Sequence, residues 1–155
     1  MNFTLDRWAV KDALFRVATG LHTSLYRRSG GKIGGQIAGR IFKSPFMLLT
    51  TTGRRSGQPR TVPLLCVRDG DRFLAIASFG GDDRDPQWLK NLQSNPEAMI
   101  ELLGETIPVR ATIATPEEKK VLWPKVLAAY KGYANYQRRT SRDIPVVILT
   151  PQTGV

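Results

Sequence analysis

The chain is poor in the residues that most often carry metal and nucleophile chemistry. Its 155 residues include one cysteine, Cys66, and one histidine, His22. No internal disulfide can form, and a reducing cytoplasm is the simpler setting. A zinc site or a Ser-His-Asp arrangement has little to work with. His22 falls inside a helical pattern and reads as a surface or packing residue. Cys66, between Leu65 and Val67, reads as a small buried hydrophobe. No apolar run is long enough to span a bilayer, and the N-terminus lacks the basic-then-apolar pattern of a secretory signal. Internal repeats and low-complexity segments are absent. Acidic residues are scarce in one region only. Residues 1 to 60 hold eleven Lys and Arg against two Asp, whereas residues 61 to 155 hold twelve against eleven acidic residues. The net charge of +10 is therefore N-terminal, which points to a polyanionic partner. Nucleic acid, an acidic membrane surface, or a phosphorylated or polycarboxylate small molecule would each satisfy it.

What is present is an ordinary globular composition, 41% hydrophobic and 23% charged, long enough for one domain with a real core. Residues 6 to 27 carry Val10, Leu14, Val17, Leu21 and Leu25 at helical spacing. The Gly-rich basic stretch that follows reads as a connector. The chain divides into an amphipathic helix at 1–30, a connector at 31–44 and a core at 45–155. From Pro45 the texture becomes strand-like. "FMLLTTT" (46–52), "TVPLLCV" (61–67) and "RFLAIAS" (72–78) are short and rich in β formers, with an Asp-Gly turn signal between the last two. "DPQWLKNLQSNP" predicts a short helix with Asp85 as N-cap and Pro86 in its first position. "AMIELLG" and "IPVRATIA" predict a hairpin near Gly104. "TPEEKKVLWPKVLAAY" predicts a helix opened by a Thr115–Glu118 capping box and disturbed at Pro124. "IPVVILT" (144–150) is the last strand. The result is an α+β pattern of about six mainly antiparallel strands with an N-terminal helix and two further helices, favouring a small barrel or curled sheet.

Three constellations offer chemistry. In "LLTTTGRRSGQPRTVPLL", Gly53 and Gly57 permit positive φ, and successive N–H groups there can form an anion nest. Arg54, Arg55 and Arg60 add guanidinium forks that match phosphate or carboxylate, with Ser56 and Thr61 as hydroxyl donors. The Gly-Lys-Ser/Thr end of a Walker loop is missing, and a solvated basic hairpin loop explains the charges equally well. In "AIASFGGDDRDPQW" a strand ends in small residues, against which a flat ring can lie. The aspartates there read as a solvated turn and a helix cap. In "YKGYANY", Tyr130, Tyr133 and Tyr136 offer phenols that pack against a planar ligand and donate hydrogen bonds, or simply form a half-buried aromatic face. No carboxylate pair sits in an apolar setting suited to acid–base work.

Taken in order, "LLTTTGRRSGQPRTVPL", "ASFGG", "DPQWLKNLQSNP" and "IPVVILTP" closely resemble the deazaflavin-dependent nitroreductase family over roughly residues 40 to 151. The resemblance implies a split β-barrel, as in FMN-binding proteins, and coenzyme F420, a deazaflavin with a phosphate and a polyglutamate tail. Its members are mostly actinobacterial. By resemblance, Arg54, Arg55, Ser56 and Arg60 grip the phosphate and tail. Thr61, Val62, Pro63, Leu64 and Leu65 line the path to the ring. Ile76, Ala77, Ser78 and Phe79 back the ring, and Gln87, Trp88, Leu89, Lys90 and Asn91 close its other side. Tyr133 touches coenzyme and acceptor, and Ser78, Tyr130, Tyr133 and Tyr136 are the candidate catalytic donors. Two positions depart from the family pattern: Arg55 stands where many members have Lys, and Phe79 where a polar or basic residue is frequent. The activity implied is hydride transfer from reduced F420 to quinones, with incidental reduction of nitroaromatics and no metal. An FMN enzyme on the same barrel and a basic nucleic-acid-binding module are the competing readings; the aliphatic strands disfavour the second, and no nucleic acid or obligate protein partner is expected. The expected location is cytoplasmic or peripheral on the inner face of the cell membrane, where Trp8, Phe15, Arg7, Lys11 and Arg16 of the first helix would meet anionic lipid or else pack on the barrel.

Overall fold

The computed structural model describes residues 7–31 and 44–153, with side chains of the first helix described from residue 17 onward. The connector expected at 31–44 lies outside the described residues but for its two ends, and so do the side chains of Arg7, Trp8, Lys11, Phe15 and Arg16. In chain order the elements are α1 (Arg7–Arg28), β1 (Phe46–Thr52), β2 (Pro59–Leu65), β3 (Val67–Asp69), β4 (Arg72–Ile76), a 3-10 turn (Phe79–Gly81), α2 (Gln87–Ser94), β5 (Glu97–Leu102), β6 (Glu105–Ile113), α3 (Pro116–Ala129), α4 (Gly132–Arg139) and β7 (Val146–Pro151).

One antiparallel sheet of seven strands runs β2-β1-β5-β6-β7-β4-β3. Its two edge strands, β2 and β3, are separated in the chain by Cys66 alone. One residue cannot cross an open sheet, so the edges must meet and the sheet curls into a split barrel. β2 accordingly approaches β4. The break at Cys66 also explains why the count is seven strands and not about six. The single run "TVPLLCV" is divided at Cys66, whose N–H bonds the Pro45 carbonyl at 2.8 Å, one pair beyond Phe46 and Leu65, before the chain goes on to pair with β4. Cys66 is fully buried, and burial pushes its thiol up to about 11, so it stays protonated and inert.

The strands serve two cores. In β4, Phe73 and Ala75 point into the barrel, while Leu74 and Ile76 point to its outer face, as a period of two requires. The inner cluster takes Met47, Leu49, Ile100, Val109 and Leu149, with Trp88, Leu89 and Leu92 of α2. The outer cluster is covered by Leu122, Val126 and Ala129 of α3 and Tyr133 of α4. Strands buried on both faces read as continuous apolar runs, which is why β4 and β7 show no alternation in sequence. Three helices follow α1, one more than the two expected, because "GYANYQRR" forms α4. α3 opens with the expected box between Thr115 and Glu118 and continues through Pro124. α2 does not use Asp85 as its cap: the N-cap is Pro86, with no side-chain cap bond.

α1 is fastened by its last turn. Tyr26 is buried, its hydroxyl donating to the Phe46 carbonyl at 3.0 Å and accepting from the Leu103 N–H at 3.2 Å. Arg27 forks onto Glu101 at 3.1 and 2.9 Å. His22 packs edge-on against Tyr26 and Phe46. The described part of the apolar stripe, Val17, Leu21 and Leu25, is exposed at 63%, 63% and 50%.

Candidate functional site

The basic loop is built by the β1–β2 hairpin. Thr52 pairs with Pro59, the Gly53 N–H bonds the Gln58 carbonyl at 2.8 Å, and the Gly57 N–H bonds the Gly53 carbonyl at 2.8 Å. A Cβ at Gly53 would lie 2.7 Å from the Ser56 hydroxyl, and Gly57 has φ +69°, so neither position admits a side chain without strain. The three arginines of the loop do different work. Arg54 is turned inward: its N–H and guanidinium both donate to Asn91 Oδ1, at 3.2 and 3.1 Å, and its other nitrogen donates to Gln87 Oε1 at 2.8 Å. Asn91, itself 4% exposed, completes the tie by donating to the Thr51 hydroxyl at 3.1 Å. Arg60 reaches back to the Ser56 hydroxyl at 3.3 Å, and Ser56 also accepts from the Gln58 N–H. Arg55 is exposed and has no partner among the described residues. The loop's N–H groups at 53, 54, 57 and 58 are spent on the protein itself, which leaves those of Arg55 and Ser56.

Beyond the loop, β2 is an edge strand that tolerates Pro63. Thr61, Val62, Pro63 and Leu64 are half-buried, and Leu65 is buried in the outer cluster. The Thr61 and Thr50 hydroxyls bond across the hairpin at 2.7 Å. On α2, Gln87 and Asn91 hold Arg54, Trp88 and Leu89 belong to the inner core, and Lys90 is half-buried.

The end of β4 is the second wall. Ile76, Ala77 and Ser78 are buried, and the chain then takes three consecutive left-handed residues, Phe79 (φ 44°), Gly80 (φ 66°) and Gly81 (φ 83°). A phenylalanine there is strained backbone, held in place by its surroundings. The Arg84 guanidinium sits 5.4 Å from the Phe79 ring. Gly81 presses on α4: an added Cβ would lie 3.0 Å from the Tyr136 carbonyl and 3.1 Å from Arg139 Cβ. The Ser78 side chain makes no cap bond. The three aspartates of this loop all have protein partners. Asp82 takes Arg84, whose hydrogen bond holds its carboxyl below the usual range; Asp83 accepts from Thr140; Asp85 pairs with Arg142 at 3.2 Å. Among the described residues there is no group able to hold a metal ion.

The tyrosines meet as an aromatic triangle, with centroids 5.4, 6.1 and 5.9 Å apart. Tyr130 caps α3 and folds back over Gly132, leaving no room there for a Cβ. Tyr133 is 7% exposed, and burial first, then its two neighbours, pushes its phenol well above the ordinary value. The hydrogen bond with Tyr130 raises Tyr136 as well. With their phenols raised, Tyr133 and Tyr136 stay protonated at neutral pH, and the half-buried pair Tyr130 and Tyr136 is the accessible part. The structure thus joins the basic loop to α2 and the Ser78 wall to the tyrosine helix, with the segment 82–87 linking both. Arg142 and Gly132 are the residues that sequence reasoning missed. Arg142 lies in a basic run with no motif of its own, and Gly132 stands inside "YKGYANY" with nothing local to single it out.

The family model described as F420H(2)-dependent quinone reductase matches residues 18–151. A Mycobacterium tuberculosis protein named as an F420H(2)-dependent quinone reductase is 44% identical over 133 residues, covering 84% of this chain and 87% of that protein. A solved structure of an F420-H2 dependent reductase superposes with a TM-score of 0.64 at 38% identity, covering 68% of this chain and 93% of that one. A heme-binding protein of Mycobacterium smegmatis, at 19% identity and a TM-score of 0.53 over 69% of this chain and 46% of that one, shares the fold alone.

Proposed function

The chain belongs to the F420H(2)-dependent quinone reductase family, and on that premise we propose that it transfers a hydride from reduced F420 to a quinone, with nitroaromatics as incidental acceptors. The observation that carries the reading is the division of labour in the basic loop. Arg54 is spent on locking the loop to α2, while Arg55 stands without a partner among the described residues beside Arg60. Cations held ready on a rigid hairpin suit a phosphate and a carboxylate tail. Thr61 to Leu64, half-buried on an edge strand, and the small residues Ala75, Ala77 and Ser78 fit a flat ring. When bound, the coenzyme supplies the hydride; the protein supplies position, donors and exclusion of water. Ser78, Tyr130 and Tyr136 offer hydroxyl donors toward the oxygen on which the acceptor gains charge. Tyr133, the buried member, packs edge-to-face against the other two rings.

Peripheral attachment to an anionic membrane fits the exposed Val17, Leu21 and Leu25 of α1 with Arg27 and Arg28 in its last turn. Among the described residues no helix is long and apolar enough to cross a membrane. Flotation with anionic liposomes tests this: the triple change of Val17, Leu21 and Leu25 to Asp abolishes co-flotation if the reading holds, and equal flotation of the variant refutes it.

Catalysis is tested by adding reduced coenzyme to the purified protein with a series of quinones and nitroaromatics and following reoxidation. No enzyme-dependent oxidation with any of them would sink the proposal. Charge reversal at Arg55 and Arg60 should raise the coenzyme KM far more than the acceptor KM; equal effects contradict the tail-gripping role.

A further inference from the structure

Arg142 lies in the loop between α4 and β7, outside every segment that binding arguments singled out, yet its side chain is only 16% exposed. Its guanidinium donates to four acceptors on one loop. Nη2 reaches the carbonyls of Ala77 at 3.0 Å and Ser78 at 2.9 Å, Nε the carbonyl of Asp82 at 2.9 Å, and Nη1 the Asp85 carboxylate at 3.2 Å. The backbone of Arg142 is itself pinned: its carbonyl accepts from Gln137 of α4 at 2.8 Å and its N–H donates to Thr140 at 3.3 Å. Thr140 in turn donates to Asp83 at 2.7 Å. One residue therefore joins the tyrosine helix to the strand end that backs the ring site.

The peptide geometry gives this clamp a direction. All described peptides are trans, so the N–H of Ser78 points opposite to the Ala77 carbonyl that Arg142 holds. Among the described residues that N–H and the Ser78 hydroxyl take no partner, although Ser78 is only 7% exposed. A guanidinium on the carbonyl side of a peptide polarises it and strengthens the donor on the other side. We propose that Arg142 is a positioning residue for the coenzyme: it fixes and polarises the Ala77–Ser78 peptide, so that the Ser78 N–H is presented as an oriented donor to a carbonyl of the bound ring. The inference rests on the reading of the β4 end as the ring site. It assigns to a residue remote in sequence the geometry of that wall.

The test is binding of oxidised F420 followed by its own fluorescence, with steady-state kinetics alongside, for the wild type, Arg142→Gln, Arg142→Lys and Gly81→Ala. Arg142→Gln should weaken coenzyme binding by about tenfold and leave the acceptor KM within about twofold. Arg142→Lys should recover part of the loss, because it restores the charge without the fork. Gly81→Ala, which forces the same loop off Tyr136 without touching Arg142, should weaken coenzyme binding in the same way. A wild type that neither binds nor oxidises the coenzyme overturns the functional reading itself. A wild type that binds, with both Arg142→Gln and Gly81→Ala folded and unchanged in coenzyme affinity, overturns the role of Arg142 alone. Should Arg142→Gln fail to fold, Gly81→Ala decides: a folded Gly81→Ala with wild-type affinity refutes the proposal.

Discussion

Asn91 shows how much a single side chain can organise. Its amide oxygen accepts from the Arg54 N–H and guanidinium in a half-buried setting, and its nitrogen donates to the buried Thr51 hydroxyl. Replacing it by alanine removes the amide donor to the buried Thr51 hydroxyl and leaves Arg54 held by Gln87 alone. Asn91→Ala should lower stability by about 1–3 kcal/mol, measured by denaturant unfolding, and raise the coenzyme KM while sparing the acceptor KM. A stability loss with an unchanged coenzyme KM would show that the loop keeps its shape without this tie. The Asn91 contact was not legible in sequence. Resemblance placed the residue beside the coenzyme, but its hydrogen bonds run to residues 37 and 40 positions away.

Among the elements, α3 follows local rules and α2 does not. Thr115 accepts from the Glu118 N–H at 3.2 Å and Glu118 bonds back to the Thr115 N–H at 3.1 Å, as the spacing predicts. Thr115→Ala should cost about 1 kcal/mol of stability in chemical denaturation with coenzyme and acceptor KM both unchanged. Unaltered stability would mean that packing of Leu122 and Val126 alone sets the helix start. At α2 the same local rule expects Asp85 to cap, but Arg142 takes its carboxylate. An ion pair and three carbonyl contacts with one guanidinium outweigh a solvent-facing cap, and that competition involves residues 57 positions apart. β2 and β3 illustrate the same limit. Their composition reads as one strand, and only closure of the barrel requires the break at Cys66.

For the molecule as a whole, the pH dependence of stability follows from the charged and phenolic groups. Bonds from Lys125 and then Arg72 hold Asp69 below the ordinary carboxylate range, tying α3 to the β3–β4 hairpin. A carboxyl depressed in the folded state stabilises above its unfolded value, about 3.9, and that contribution disappears as pH falls through the lower folded value. The melting temperature should thus hold steady down to about pH 5 and fall below about pH 4, less steeply in Asp69→Asn. Tyr133 acts in the opposite sense. A phenol raised by burial favours the folded state while protonated, so stability falls as pH rises above about 10, and Tyr133→Phe should flatten that limb. A Tyr133→Phe melting profile that matches the wild type above pH ~10 would show that its phenol is accessible to water.

Sequence alone determined the things that depend on neighbours along the chain. The hairpins at 53–58 and Asp69–Gly70, the capping box of α3, the β texture from Phe46 onward and the basic loop all follow from local propensity, turn chemistry and period. Family resemblance then supplied the coenzyme, which no count of arginines could name. Tertiary structure decided which of those residues are spent and which are available. Arg54 is consumed by Asn91 and Gln87, while Arg55 has no partner among the described residues. Tyr133 is buried, and Tyr130 and Tyr136 are accessible. Arg142 holds the end of β4 from 64 residues away. Those outcomes depend on burial and on hydrogen bonds between distant segments, and both exist only once the sheet has closed on itself.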